Sequence, residues 1–216
     1  MDWSISEASR MLHQKRHQTL KLIDITSGTM LRREMRQQRS ALSSRQSKQA
    51  MLDVANIARQ CKPLLFATRI ASYSPFNGEL SPALIETPNC HQHFLPRVDN
   101  YTRHLMRFYS ANHRRTNRWG IVEPIPTAPA ASINQLDVIL VPLVAFDRKG
   151  NRLGMGAGFY DRALQSLRHR ANRRPLLVGV GHHFQEVNSL ISKPWDIKLD
   201  AILTDREYIV VGSSLS

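Results

Sequence analysis

One stretch carries the densest chemistry in the chain: Gly150-Asn151-Arg152-Leu153-Gly154-Met155-Gly156-Ala157-Gly158-Phe159-Tyr160-Asp161-Arg162. Alternating glycines let backbone N–H groups converge with no Cβ in the way. A helix starting directly behind them would add the positive end of its dipole, which makes phosphate the natural ligand. Arg152 offers that phosphate a charged partner, and Asp161 is a hard oxygen donor suited to Mg2+. The stretch is not a Walker A loop, because no Gly-Lys-Ser/Thr follows. Nor does Gly154-x-Gly156-x-Gly158 have the G-x-G-x-x-G spacing of a dinucleotide site. On the residues alone, a tight structural turn is the competing reading.

Such a loop needs a buried strand before it and a helix after it. Val138-Ile139-Leu140-Val141 is apolar at successive positions, as in a strand covered on both faces. Strands are expected at 69–74, 94–98, 105–109, 137–144, 176–181, 201–204 and 208–211, with helical stretches at 82–86, 159–170 and 185–191. This alternation predicts an α/β fold: a single domain with a mostly parallel sheet flanked by helices. Upstream, Thr29 is placed to cap a helix carrying Leu31, Met35 and Leu42. Ser43 and Gln46 form a capping box for a second helix with Met51, Val54, Ile57, Ala58 and Cys61, which Pro63 helps to end. Three prolines in 121–131 make that segment an extended connection. Residues 1–28 read as a poorly ordered N-terminal helical extension ahead of a domain over 29–216. They hold no continuous apolar region of the kind a secretory signal requires.

Asp137, Ile139, Pro142, Ala145-Phe146-Asp147, Gly150, Arg152-Leu153-Gly154, Gly156, Gly158 and Tyr160-Asp161, in this order and spacing, strongly resemble the signature of the 5-formyltetrahydrofolate cyclo-ligases, also called methenyltetrahydrofolate synthetases. Further matches are Leu31-Arg32, Glu79, Leu95-Pro96-Arg97-Val98, Trp119-Gly120-Ile121, Glu123-Pro124, Gln185, Pro194 and Asp196, so the resemblance covers residues 30–205.

The resemblance implies an enzyme that uses ATP and Mg2+ to convert 5-formyltetrahydrofolate to 5,10-methenyltetrahydrofolate, releasing ADP and phosphate through a phosphorylated formyl oxygen. It implies that ATP meets Arg32 and the loop residues Arg152, Leu153, Gly154, Met155, Gly156, Ala157, Gly158, Phe159 and Tyr160. Asp161 and Asp196 would hold the metal. The folate would meet Ser74, Glu79, Trp119, Met155 and Phe159, with Tyr73 beside Ser74 in the same pocket. A carboxylate at Glu79 suits the adjacent N–H donors of a pterin ring. The chain departs from the family pattern at Ala157 and Gly28, where many members have Lys, and at Pro82, where Thr is usual.

The chain has 216 residues, 30 Lys+Arg against 17 Asp+Glu and a formal charge of +13. At 42% hydrophobic and 22% charged, its composition is that of a globular protein rather than a collagenous or broadly disordered one. No apolar run approaches the roughly 18 residues of a membrane span. Cys61 and Cys90 are far apart, and a reducing, cytoplasmic setting is expected. The basic excess lies in three regions: twelve Lys+Arg against five acids in 1–62, six against one in 97–118, and eight against one in 148–174. Such charge attracts polyanions generally, so a nucleic-acid-binding or regulatory protein on the same fold is the alternative. The glycine loop with Asp161 and Asp196 favours the enzyme, with small anions rather than a specific nucleic acid as partners and a monomeric state. His91, His93 and His182-His183 have no third ligand at a suitable spacing, so no transition-metal site is expected.

Overall fold

The structure, a computed structural model, describes residues 28–85, 92–167 and 174–212. In chain order its elements are α1 (28–40), α2 (Ser44–Ala58), α3 (Lys62–Leu65), β1 (Arg69–Ala71), β2 (Gln92–Asn100), β3 (Leu105–Ser110), β4 (Arg114–Thr116), β5 (Val122–Pro124), β6 (Val138–Pro142), β7 (Ala145–Phe146), β8 (Arg152–Leu153), α4 (Phe159–Ala163), β9 (Leu176–Val180), β10 (Ala201–Leu203) and β11 (Tyr208–Val210). Seven strands form the main sheet in the order β11-β10-β9-β6-β1-β2-β3. The five inner strands run parallel, and β11 and β3 pair antiparallel at the two edges. The expected α/β fold with a mostly parallel sheet is the observed one.

The unbroken apolar run in β6 has the reason anticipated for it. Val138 and Leu140 point into one core with Val178, Val180, Leu203 and the α2 residues Ala50, Val54 and Ala58. Ile139 and Val141 point into the other with Leu177, Ile202, Phe108 and Leu164. With side chains alternating at a period of two, both faces of β6 are buried. The Ser43 capping box on α2 is present, its Oγ accepting from Gln46 N and its own N–H donating to Gln46 Oε1 at 2.9 Å.

Several boundaries differ from the expectation. Thr29 lies inside α1 rather than capping it, Gly28 is helical, and Leu42 falls in the link to α2. Residues 82–85 make a turn closed by Ile85 N to Pro82 O at 2.9 Å instead of a helix. The helix at 159 ends at Ala163 and gives way to a 3-10 turn, Gln165–Leu167. The helix expected at 185–191 is replaced by a 3-10 turn, His183–Gln185, and an irregular segment. Its residues are drawn to tertiary partners: Gln185 Nε2 donates to Leu143 O and Val144 O, and Leu190 N to Asp147 Oδ2. The parts of these expectations that fall at 1–27, 86 and 168–170, together with Cys90 and His91, lie outside the described residues. No described helix is long and apolar enough to cross a membrane.

Asp147 is the anchor of this region. It is fully buried, and it accepts from Lys149 N and Asn151 N at 3.0 Å, Asn151 Nδ2 at 2.8 Å and Leu190 N at 2.9 Å. Asp147→Ala would strand four donors at once. We expect it to lower unfolding free energy by about 2–4 kcal/mol in urea titration; a loss below about 0.5 kcal/mol would contradict this role.

Candidate active site

A cleft of about 810 Å3 opens between the start of α1, the glycine loop with α4, Glu79, and the segment from Leu190 to Asp196. Helix α1 is set against the loop by its apolar stripe: Leu31 and Met35 pack with Val144, Ala145 and Leu153. Arg32, the next residue around the helix, therefore lies along the loop and donates from Nε to Gly154 O at 2.8 Å. Gly156 and Gly158 have φ of +105° and +69°, a region side chains disfavour, and Gly158 is the residue that starts α4. A Cβ at Gly156 would come within 3.7 Å of the Arg32 guanidinium.

Helix α4 has only five residues, so its dipole is small. The anion-attracting character of this end rests instead on Arg32, Arg152, Arg162 and Lys193, all of which line the cleft. Burial, with repulsion from Arg36, pulls the Arg32 guanidinium below its ordinary range. Arg152, its side chain only 5% exposed, donates from Nη2 to Asp161 Oδ1 at 2.7 Å. The same oxygen accepts from Ile197 N at 3.2 Å. Asp196 Oδ2 accepts from Lys193 N at 2.8 Å, which orients its carboxylate at the end of the return segment. Both carboxylates face the cleft. Two hard oxygen donors beside a glycine loop flanked by cations fit Mg2+, which is commonly held by one or two carboxylates plus substrate phosphates.

At the other end, Glu79 follows a tight turn and accepts from Phe76 N at 3.0 Å. Burial pushes its acid up to about 7, against the opposing pull of the Phe76 N–H and Arg39. Tyr160 puts a buried hydroxyl here with no hydrogen-bond partner among the described residues, and burial and Glu79 push its ionisation far up. The Tyr73 hydroxyl donates to Leu80 O.

The cleft thus brings together Arg32, Glu79, the whole stretch from Arg152 to Asp161, and Asp196. Three expected residues, Tyr73, Ser74 and Trp119, are not among its walls. Ser74 Oγ donates to Val122 O, which ties it to β5. Trp119 is 43% exposed and reaches the cleft only through a relay: it packs on Tyr101 at 4.8 Å, and Tyr101 meets the edge of Phe159 at 6.2 Å. Tyr101, His104 against Phe159 at 5.2 Å, Lys193 and Trp195 went unread in the sequence. Only Trp195, beside Asp196, had a local signal. Parts of the expected basic attraction are neutralised: Arg97 and Arg107 pair with Asp99, and Arg115 with Glu123.

Among the described residues, one group of three metal-type ligands clusters elsewhere, His183, Glu186 and Glu207 within 4.8 Å. Arg148 already occupies it, donating to Glu186 at 2.7 Å and Glu207 at 2.6 Å.

Comparison with known proteins points one way. Residues 24–205 match the 5-formyltetrahydrofolate cyclo-ligase family. The 5-formyltetrahydrofolate cyclo-ligase of Haemophilus influenzae is 37% identical over 180 residues, covering 80% of this chain and 95% of that protein. Its counterpart from Escherichia coli K12 is 32% identical over 177 residues, covering 79% and 96%. The NMR structure of Aquifex aeolicus 5,10-methenyltetrahydrofolate synthetase superposes with a TM-score of 0.72 at 26% identity, covering 88% of this chain and 95% of that one. A 5,10-methenyltetrahydrofolate synthetase from Mycoplasma pneumoniae shares the fold with a TM-score of 0.63 at 24% identity, covering 83% and 99%. By family match, identity and coverage together, this chain belongs to the 5-formyltetrahydrofolate cyclo-ligase family.

Proposed function

We propose that the protein converts 5-formyltetrahydrofolate to 5,10-methenyltetrahydrofolate at the expense of ATP, releasing ADP and phosphate, with Mg2+ as the metal. One observation carries this reading beyond family membership: a single cleft joins a cationic, glycine-lined end to a half-buried carboxyl end. The first suits a triphosphate and the second the N–H edge of a pterin. The acting unit is residues 29–216, as a monomer, and its partners are the two small substrates.

A formamide carbon is a poor electrophile until its oxygen is derivatised. The formyl oxygen attacks the γ-phosphorus and ADP leaves. The N10 nitrogen then attacks the activated carbon and loses its proton, and phosphate departs as the ring closes. Little covalent chemistry falls to the protein; it aligns the reactants and neutralises charge. Arg32 and the backbone from Arg152 to Tyr160 hold the phosphates, while Met155 and Phe159 stand where the two substrates meet. Asp161 and Asp196 would hold Mg2+, which when bound supplies charge neutralisation at the transferring phosphoryl group. Arg152 keeps Asp161 ion-paired in the free protein and has a phosphate partner to exchange for it. Glu79 accepts from the pterin, and Trp119 with Tyr101 forms an aromatic edge at the folate entrance. Positions 28 and 157, where relatives often have Lys, both line the cleft, so phosphate charge falls more heavily on Arg32, Arg152 and Arg162.

The direct test is the purified chain with 5-formyltetrahydrofolate and MgATP alone, followed by the near-UV absorbance of the methenyl product. Absorbance should rise only when all components are present, and no rise at high protein concentration sinks the proposal.

Asp161→Asn keeps an acceptor for Ile197 N–H but removes the charge. Turnover should fall by at least about 100-fold, with the thermal midpoint lowered by only a few degrees. Near wild-type turnover would show that Asp161 has no role in the chemistry.

Glu79 gives a signed pH dependence. With its acid at about 7 in place of the ordinary 4.5, the accepting carboxylate form grows as pH rises through 7. The folate KM should therefore fall between pH 6 and 8. Glu79→Gln should raise that KM by about 10- to 100-fold at pH 8 and flatten its pH dependence. An unchanged pH profile would remove Glu79 from folate recognition.

A further inference from the structure

The buried stripe of α1 does not end as its first residues suggest. Leu31 and Met35 are followed, one turn on, by Arg39, at the i, i+4, i+8 spacing that shares one helix face. Arg39 is 3% exposed, and its Nε, Nη1 and Nη2 have no hydrogen-bond partner among the described residues. A leucine or methionine there would continue the stripe without the penalty of burying a cation with idle donors. Packing alone does not account for an arginine.

What Arg39 faces does. The turn from Phe76 to Glu79 lies directly against it: a Cβ on Gly78 would come within 3.1 Å of Arg39 Cβ and 3.4 Å of its carbonyl oxygen. Glu79, at the end of that turn, is the acidic group acting on Arg39, and the two favour each other's charged forms. Tyr73, Tyr160 and His182, packed around the pair, stay neutral near neutral pH. Burial pushes the hydroxyls of Tyr73 and Tyr160 up, and it pushes His182, which bonds the backbone of Gly78, down. Arg36 acts on Arg39 but not on Glu79. Among the described residues, Arg39 is therefore the cation that opposes the burial of Glu79.

We propose that Arg39 is a positioning residue for the pterin end of the cleft: it touches no substrate, but it seats the Phe76–Glu79 turn against α1 and places a buried positive charge behind the Glu79 carboxyl that meets the pterin N–H groups. This rests on the reading that Glu79 meets the folate. Its consequence is a contribution to specificity by charge state: the guanidinium, with the Phe76 N–H, counters the burial that favours the neutral acid at Glu79.

The test is the folate KM against pH for wild type, Arg39→Met, Arg39→Lys and Arg39→Gln, with the ATP KM and kcat recorded alongside. For Arg39→Met we expect a folate KM raised about 3- to 10-fold at pH 7, recovery toward the wild-type value by pH 9, and little change in ATP KM or in kcat at saturating folate. Arg39→Lys should restore most of the wild-type profile. In a Glu79→Gln background, Arg39→Met should add no further effect on folate KM. A wild-type pH profile in Arg39→Met, or in Arg39→Gln should Met not fold, overturns the inference. Failure of both variants to fold also overturns it, leaving Arg39 a packing residue. If Glu79→Gln itself leaves folate KM unchanged, the folate reading of Glu79 has failed instead, and the two failures are told apart.

Discussion

The cleft depends on one buried carboxylate that takes no part in the chemistry. Asp147 sits at zero exposure and meets four donors, three from the turn between β7 and β8 and one from Leu190. A carboxylate in that setting is stable only while its hydrogen bonds are all made. It therefore fixes two things together: the turn that launches the glycine loop, and the position of the irregular segment that returns along the other wall. Leu199 N to Gly150 O at 2.9 Å and Ile197 N to Asp161 Oδ1 at 3.2 Å complete that tie. Without it, Asp161 and Asp196, 35 positions apart in the chain, would have no shared reference frame.

The acidic residues of the signature divide by what meets them. Asp137 accepts from Thr68 N, Thr68 Oγ1 and Arg69 N and so locks β1 against the strand beside it. Glu123 accepts from Arg115 and Asn117 and holds the β4–β5 hairpin. These, with Asp147, are architectural, and backbone or neighbouring donors saturate them. Asp161, Asp196 and Glu79 instead sit on the cleft with fewer donors each. Saturation is the physical difference between a carboxylate that shapes the fold and one with lone pairs left for a ligand.

That distinction marks what was legible in the sequence. The central strand, the α2 capping box and the glycine loop are local patterns, set by period, capping and spacing, and they were readable, as was a mostly parallel sheet from the alternation of strands and helices. The helix expected at 185–191 was not, because its backbone and side-chain groups are claimed by Asp147 and by the carbonyls of Leu143 and Val144 across the fold. Period cannot report a partner 40 residues away. Trp119 was readable as an aromatic face, but its dependence on Tyr101 to reach Phe159 was not. Arg39 was hidden most completely, since a charged residue in a helical repeat reads as solvated surface.

The basic balance takes its meaning from the same accounting. A charge of +13 suggests a polyanion partner while it is counted along the chain. In the fold, Arg97 and Arg107 share Asp99, Arg115 holds Glu123, Arg148 bridges Glu186 and Glu207, and Arg174 pairs with Asp200. These cations brace loops and hairpins. Arg32, Arg152, Arg162 and Lys193 converge on one concave wall, where low-dielectric surroundings strengthen their field on a bound anion. Arg39 stands behind the opposite end, too deep to meet a ligand. The cleft is thus polarised along its length, with four cations lining its glycine-loop end and a half-buried carboxyl, backed by a buried cation, at the other. In the reaction proposed for this cleft, that polarity orients two substrates of different charge pattern before any reacting atoms meet.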